Sequence, residues 1–336
     1  MQKTILGQTG LTVGRTGFGC IPIQRIPFEE STAILRHAYN NGVTLYDTAN
    51  GYTTSEERIG IALSDVRENI VLCTKSPTNS PEAVMANIDN SLKMMKTDYI
   101  DVFQAHNPSF VPEPGGDDGI YDCLLKAKEQ GKIRNIGISA HDIKVAREAV
   151  VSGLYSTLQF PFSYLSSENE LTLIDLCKEY NVGILAMKGM CGGLLTNAKA
   201  AFAFLRQYEN VIPIWGIQKM EELNEFLACE QSPPALDDAM LKAIEHDKVE
   251  LASNFCRACG YCLPCPVGIP IPTAARITLL LRRMVRENFI TDTWKENMRR
   301  IDDCTNCGKC MANCPYGIDA AELLKVQQKE YFKLVD

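Results

Sequence analysis

No stretch of this 336-residue chain approaches the roughly 20 uninterrupted apolar residues that a membrane-spanning helix needs. The opening residues, MQKTILGQTG, contain no long apolar core of the kind a secretory signal requires. These two absences predict a cytoplasmic protein with no membrane partner. Basic residues are outnumbered, 34 Lys and Arg against 41 Asp and Glu, and the net charge of −7 argues against a nucleic-acid partner. No glycine-rich fingerprint follows the first strand-like run. Gly17 and Gly19 lie inside that run, which argues against an open doubly wound sheet. One residue type is abundant: there are 14 cysteines, and eight of them fall in two short runs after Phe255. In a reducing compartment that pattern favours a metal site over disulfides.

Charge divides the chain. From Ala239 onward there are 14 Lys and Arg and 12 Asp and Glu, whereas the preceding part carries 20 and 29. The break lies near Pro233-Pro234 and predicts two domains, residues 1–235 and 236–336. The opening TILGQTGLTVGRTGFGC reads as a hairpin turning at Gln8-Thr9-Gly10, followed by a strand from Thr16 to Cys20. Apolar runs then alternate with amphipathic helical segments. The runs are Val43–Asp47, Ile70–Thr74, Ile100–Gln104, Ile136–Ser139, Thr157–Phe160, Gly183–Met187 and Val211–Trp215. The helical segments are Glu29–Asn41, Ser55–Leu63, Pro81–Leu92, Ile120–Glu129, Ile143–Ser152, Glu168–Glu179, Lys199–Tyr208 and Met220–Ala228. Eight β-then-α units predict an α/β fold, a closed (β/α)8 TIM barrel. After the proline pair, a helix is expected from Asp237 to Ala252. A cysteine run, a helix carrying Arg276, Arg282, Arg283 and Arg286, a second cysteine run and a helix from Ala320 to about Phe332 follow. This part reads as a small helical dicluster ferredoxin-like domain. The basic helix reads as a solvated face, with a docking patch for an acidic electron carrier as the alternative.

Side chains suited to chemistry gather at the expected strand ends. Asp47 closes the second strand, Tyr52 lies in the turn after it, and Glu56 and Glu57 occupy the first turn of the next helix, where carboxylates favour the N-terminus. Lys75 follows the third strand and His106 the fourth. In a barrel these ends face one mouth. A phenol is a poor acid at neutral pH, and a neighbouring ammonium favours its ionised form. The carboxylate would keep the lysine charged, and the imidazole would orient a substrate oxygen. The set suits protonation of an alkoxide as it forms from a carbonyl.

Asp47, Tyr52, Lys75 and His106, in the contexts DTANGY, CTK and QAH, resemble the catalytic tetrad of the aldo-keto reductases. LGQTGLTVGRTGFG, EQGKIRNIGIS, QFPFSYL and ILAMKGMCGGLLT are similar to further parts of that family's barrel, so the resemblance spans about residues 1–230. It implies a nicotinamide cofactor at the barrel mouth, hydride transfer to a carbonyl carbon (or the reverse, from an alcohol), and Tyr52 as proton donor. Ser139 and Gln159 would hold the carboxamide. The loop Lys188 to Leu194, with Gly189, would lie along the pyrophosphate, and Gln218 and Glu222 also fall at cofactor-binding positions. The sequence departs from the family at Ala140, where asparagine is usual, and at Met187, where an aromatic often stacks on the nicotinamide. It also departs at Phe226, where an adenine-contacting asparagine is expected, and at Glu222, in place of a basic residue. A carboxylate at Glu222 would repel a 2′-phosphate and favours NADH over NADPH within an NAD(P)H expectation, although Lys219 is close by.

The cysteine runs are Cys256, Cys259, Cys262, Cys265 before Pro266, and Cys304, Cys307, Cys310, Cys314 before Pro315. The second fits C-x2-C-x2-C-x3-C-P, the bacterial ferredoxin run. Paired runs imply that each fourth cysteine serves the other cluster. Cys256, Cys259, Cys262 and Cys314 would then hold one 4Fe-4S cluster, and Cys304, Cys307, Cys310 and Cys265 a second. The first run is one residue short of that pattern. A four-cysteine zinc site usually separates its pairs by many residues. This part resembles the 4Fe-4S ferredoxin-type domain. The remaining cysteines, Cys20, Cys73, Cys123, Cys177, Cys191 and Cys229, read as packing residues, with Cys20 and Cys191 at or near the mouth.

Hydride carries two electrons, whereas each cluster passes one. The leading expectation is therefore a nicotinamide-dependent reductase of a small carbonyl with structural or regulatory clusters. The alternatives are an enzyme fed by a ferredoxin-type carrier, with a flavin at the mouth although no feature announces a flavin site, and a redox sensor without turnover. The complete tetrad argues against the last.

Overall fold

The computed structural model of the chain describes residues 1–251, 255–283 and 286–335. They form two compact units, Met1–Gly189 with Ala198–Leu236, and Met190–Asn197 with Asp237–Asp336.

In the first unit, β1 (Lys3–Ile5) and β2 (Thr12–Gly14) form the expected antiparallel hairpin. Gly10, at φ 70°, takes the left-handed conformation the turn requires. Eight strands follow: β3 (Gly17–Gly19), β4 (Leu45–Asp47), β5 (Val71–Ser76), β6 (Ile100–His106), β7 (Ile133–Ser139), β8 (Thr157–Pro161), β9 (Gly183–Met187) and β10 (Val211–Gly216). All neighbouring pairs are parallel, and β10 pairs with both β9 and β3, closing the barrel. The helices between them are α1 (Phe28–Asn40), α2 (Ser55–Leu63), α3 (Pro81–Met95), α4 (Ile120–Glu129), α5 (Ile143–Val151), α6 (Glu168–Glu179), α7 (Ala198–Arg206) and α8 (Met220–Gln231). The (β/α)8 expectation is borne out.

Inward-facing Leu45, Val71, Cys73, Val102, Leu185 and Ile212 pack together inside the barrel, with Leu6 and Val13 of the hairpin region joining them. The hairpin therefore closes the end of the barrel away from the strands' C-terminal tips. Parallel pairing extends two strands beyond their expected ends. Lys75 pairs in register with Gln104, and His106 with Ser139. Lys75 and His106 thus lie within β5 and β6, not after them. α3 also runs three residues past its expected end, because Met95 is buried and Lys96, at φ 52°, supplies the left-handed cap.

The second unit contains α9 (Asp238–Leu251), α10 (Ile271–Ala274), α11 (Ile277–Arg283), α12 (Asp292–Arg299), α13 (Lys309–Ala312) and α14 (Ala320–Val335). Ala252, the expected end of α9, and the side chain of Arg283 lie outside what is described. Ile271, Ile277, Met298, Ile301, Leu324 and Tyr331 form the centre of its core, and Cys256, Cys262, Cys265, Cys304 and Cys310 pack against it. Among the described residues, no helix is long and apolar enough to cross a membrane.

Candidate active site

Closure of the barrel brings the tips of β4, β5, β6 and β8 around one carboxylate. Asp47 is buried and accepts hydrogen bonds from Lys75 Nζ at 2.7 Å, Gln159 Nε2 at 3.0 Å and Gln104 Nε2 at 3.1 Å. Lys75 Nζ also donates to the Thr48 carbonyl at 2.7 Å. Burial alone would drive the ammonium towards neutrality. Asp47, through its charge and its hydrogen bond, outweighs it and holds the lysine pKa above its ordinary value. Lys75 is therefore charged at neutral pH.

Tyr52 sits over this pair. Its ring centroid lies 5.3 Å from Lys75 Nζ, and its edge meets the His106 ring at 6.1 Å and 83°. Burial raises the phenol pKa, Lys75 pulls it down, and Asp47 and Cys20 push it up again, so the net shift is upward. The ammonium is thus not strong enough to ionise the phenol in the resting site. Tyr52 remains a neutral O–H, the form that can give a proton. His106 is driven the other way. Burial first, and the Lys75 charge second, lower its pKa to about 3, so the imidazole is neutral at pH 7.

That shift predicts a pH effect on stability. An imidazole in the unfolded chain titrates near 6.5, whereas in the fold it titrates at about 3. Between these values the unfolded chain binds the extra proton. His106 therefore costs nothing above neutrality, and stability falls as pH drops from the unfolded towards the folded pKa. His106→Gln should lose less stability than the parent between about pH 7.5 and 5. Urea unfolding at the two pH values checks this, and equal losses in both proteins would refute the assignment.

The other sequence-derived positions fall as follows. The Ser139 hydroxyl accepts from Asn107 N at 3.1 Å and lies 3.4 Å from the Ala105 carbonyl. Gln159 Nε2 donates one hydrogen bond to Asp47, while its Oε1 is buried without a partner. Lys188 and Gly189 belong to the barrel unit, whereas Met190 to Leu194 belong to the second. Gly189 has no room for a side chain, since a Cβ would stand 2.7 Å from the Trp215 ring. The Gln218 and Lys219 backbone N–H groups both donate to Glu222 Oε2, at 2.9 and 3.1 Å, so that oxygen caps α8. Phe226 is buried, stacked on Trp215 at 4.2 Å. Gln104 was not among the candidates; its signal was a lone amide in the apolar strand DVFQAH. Glu56, read as a helix-terminus acid, is buried and accepts from Thr74 Oγ1 at 2.6 Å.

In the second unit the two cysteine runs adopt matching backbones. Ala258 and Asn306, each just before the second cysteine, both have φ 52°, and the glycines after it, Gly260 and Gly308, have φ 88° and 73°. Only glycine takes that second turn without strain. One concavity, about 780 Å³ counting space open to solvent, is lined by Cys265, Cys304, Cys307 and Cys310. A second is lined by Cys256, Cys259 and Cys314, and Cys262 and Cys310 border both. Five cysteine sulfurs border each space, with the exposed Asp319 also beside the first, and such sulfur-rich donor sets are chemically suited to an iron–sulfur cubane.

Residues 10–202, more than half of the chain, match the family model described as the aldo/keto reductase family. The chain belongs to that family. Residues 255–319 match the 4Fe-4S dicluster domain. Over 216 residues the chain is 29% identical to the aldo-keto reductase YhdN of Bacillus subtilis (strain 168), covering 58% of this chain and 64% of that one. Over 214 residues it is 31% identical to L-galactose dehydrogenase of Arabidopsis thaliana, covering 57% and 66%. The chain thus spans a little under two thirds of the length of these relatives. Among solved structures, it shares the fold of an aldo-keto reductase from Klebsiella pneumoniae in complex with NADPH. The TM-score is 0.64 at 21% identity, over 73% of this chain and 95% of that one. The holo form of an aldo-keto reductase from Bacillus halodurans gives 0.64 at 20% identity, over 74% and 96%.

Proposed function

We propose that this protein reduces a small carbonyl compound, or oxidises the corresponding alcohol, with NAD(P)H, and that its second unit holds two 4Fe-4S clusters. The observation that carries the first part is the buried Lys75–Asp47 pair at 2.7 Å beneath the Tyr52 ring, with neutral His106 against that ring. When bound, the nicotinamide supplies a hydride to the carbonyl carbon. As charge develops on the substrate oxygen, Tyr52 gives it a proton. Lys75, kept charged by Asp47, stabilises the phenolate left behind. His106 presents a neutral N–H to the same oxygen and fixes its direction.

The fit to a nicotinamide is supported at one end by Gln159, whose buried, unpartnered Oε1 can accept from a carboxamide. At the far end, Glu222 spends one oxygen on capping α8. That removes much of the argument for NADH, so both nucleotides belong in the assay. The Klebsiella relative's NADPH complex is consistent with the phosphorylated form. The cluster assignment, Cys256, Cys259, Cys262 and Cys314 for one and Cys304, Cys307, Cys310 and Cys265 for the other, is supported by the two concavities these sets line.

Anaerobically purified holoprotein should consume NADPH or NADH in the presence of a small aldehyde or ketone. It should also bind at least one of the two nucleotides saturably. No binding of either would overturn the reading. Clusters reduced by a ferredoxin but not by NAD(P)H would favour entry of electrons through the second unit instead.

A further inference from the structure

Among the described residues of the second unit, one cation, Arg276, is buried, and the cysteine spacing does not explain it. Arg276 stands between α10 and α11, in a stretch whose arginines read as a solvated face. Arg282 is exposed as expected, but Arg276 is only 8% exposed. Its Nε donates to the Pro272 carbonyl at 3.1 Å. Its Nη1 reaches two carbonyls far away in the sequence, Cys191 at 3.4 Å and Gly192 at 3.3 Å. All three acceptors are neutral. A buried guanidinium with no counter-charge is costly, because neutral carbonyls return only part of its lost hydration. Among the described residues, the anionic forms that act on it are those of Cys256 and Cys191, and no carboxylate is among them. Ala275, the preceding residue, lines the same concavity as Cys256, Cys259 and Cys314. The loop that holds the guanidinium is shaped for it. Gly192 has φ +65°, and a Cβ there would stand 3.1 Å from Arg276 Nη1.

We propose that Arg276 is the charge-balancing residue of the iron–sulfur cluster held through Cys256, that the Cys191 and Gly192 carbonyls position it, and that it raises the reduction potential of that cluster. The proposal rests on the dicluster reading of the cysteines. A cubane held by four thiolates is net anionic, and taking up one electron from a reductant makes it more so. A fixed cation in a poorly screened interior favours the more negative state. The cluster thus supplies the anion that Arg276 lacks within the protein, and Arg276 makes the added electron easier to accept. Each concavity also has a more exposed cation in its lining, Arg257 beside Cys256 and Lys309 beside Cys310, so Arg276 is distinguished by its burial.

The test is a potentiometric titration of the full-length holoprotein with dithionite, followed by electron paramagnetic resonance. Cys256→Ser identifies which signal belongs to the cluster in question. Arg276→Gln should make that cluster harder to reduce, lowering its reduced-to-oxidised ratio at the parent midpoint about tenfold, equivalent to ~59 mV for one electron. The other signal should stay in place. Arg276→Lys, which keeps the charge, should recover most of the shift. Gly192→Ala changes no charge but crowds the guanidinium, and should move the same midpoint in the same direction. It decides the matter if Arg276→Gln does not load its clusters. Unchanged midpoints in Gly192→Ala and in loaded Arg276→Gln would overturn the proposal, as would a shift confined to the signal that Cys256→Ser leaves intact. A parent protein with no cubane signal would instead refute the dicluster reading on which the proposal rests.

Discussion

Tyr52→Phe should lower kcat for carbonyl reduction by about 10² to 10⁴-fold, the usual contribution of a positioned proton donor, while leaving nicotinamide nucleotide affinity in place. The substitution removes one oxygen and keeps the ring. The edge contact with His106 at 6.1 Å and the approach to Lys75 Nζ at 5.3 Å are both made by that ring, so packing at the mouth is preserved. The lost group is an O–H that burial keeps protonated despite the ammonium beside it. Without it, the developing alkoxide has no proton source among the tetrad. Lys75 is held by Asp47 and by the Thr48 carbonyl, and His106 is neutral with too low a pKa to stand in as an acid. Steady-state rates and nucleotide binding, measured on one preparation, check this. A kcat close to that of the parent would remove Tyr52 from the chemistry, whereas a parallel loss of nucleotide binding would point to damage at the mouth.

The second large effect concerns iron. Anaerobically isolated protein should contain about eight iron and eight sulfide per chain, and Cys256→Ser and Cys304→Ser should each reduce the iron to about four. The two positions belong to different concavities, which share Cys262 and Cys310 but not Cys256 or Cys304. Loss of one ligand should therefore empty one site and leave its neighbour. The core of this unit is small, and Cys256, Cys262, Cys265, Cys304 and Cys310 pack directly against it. Removing all the iron should consequently loosen the second unit, because metal binding is part of its folding free energy. Hydrogen exchange of α12 and α14 in the iron-free protein would report this loosening. Four iron in the parent, unchanged by Cys256→Ser, would mean a single cluster held by the second run.

Much of this was readable from sequence because it depends on local repetition. The βα alternation follows from short apolar runs separated by amphipathic ones, each decided within a dozen residues. The cysteine spacing likewise sets which thiols can wrap one corner of a cubane. The strand-end residues Asp47, Lys75 and His106 could be located because a strand's tip is a local feature, and a barrel gathers its tips at one mouth. Their exact ends could not be, since parallel pairing with neighbouring strands carried β5 and β6 past Lys75 and up to His106.

What tertiary structure alone decided was which groups converge and how deeply. Gln159 reaches Asp47 from 112 residues away, and Gln104 from 57, so no window of sequence contains the amide pair that saturates this carboxylate. The balance at Tyr52 was likewise hidden. The sequence places a phenol near an ammonium, but the sign of the net pKa shift depends on burial, which only the folded barrel sets. Glu222 read as a carboxylate set against a 2′-phosphate until the start of α8 claimed one of its oxygens. Arg276 shows the same limit most plainly. Among neighbouring arginines its identity suggests a solvated surface. Only the fold turns it inward, away from water and onto neutral carbonyls, and that enclosure gives its charge a consequence.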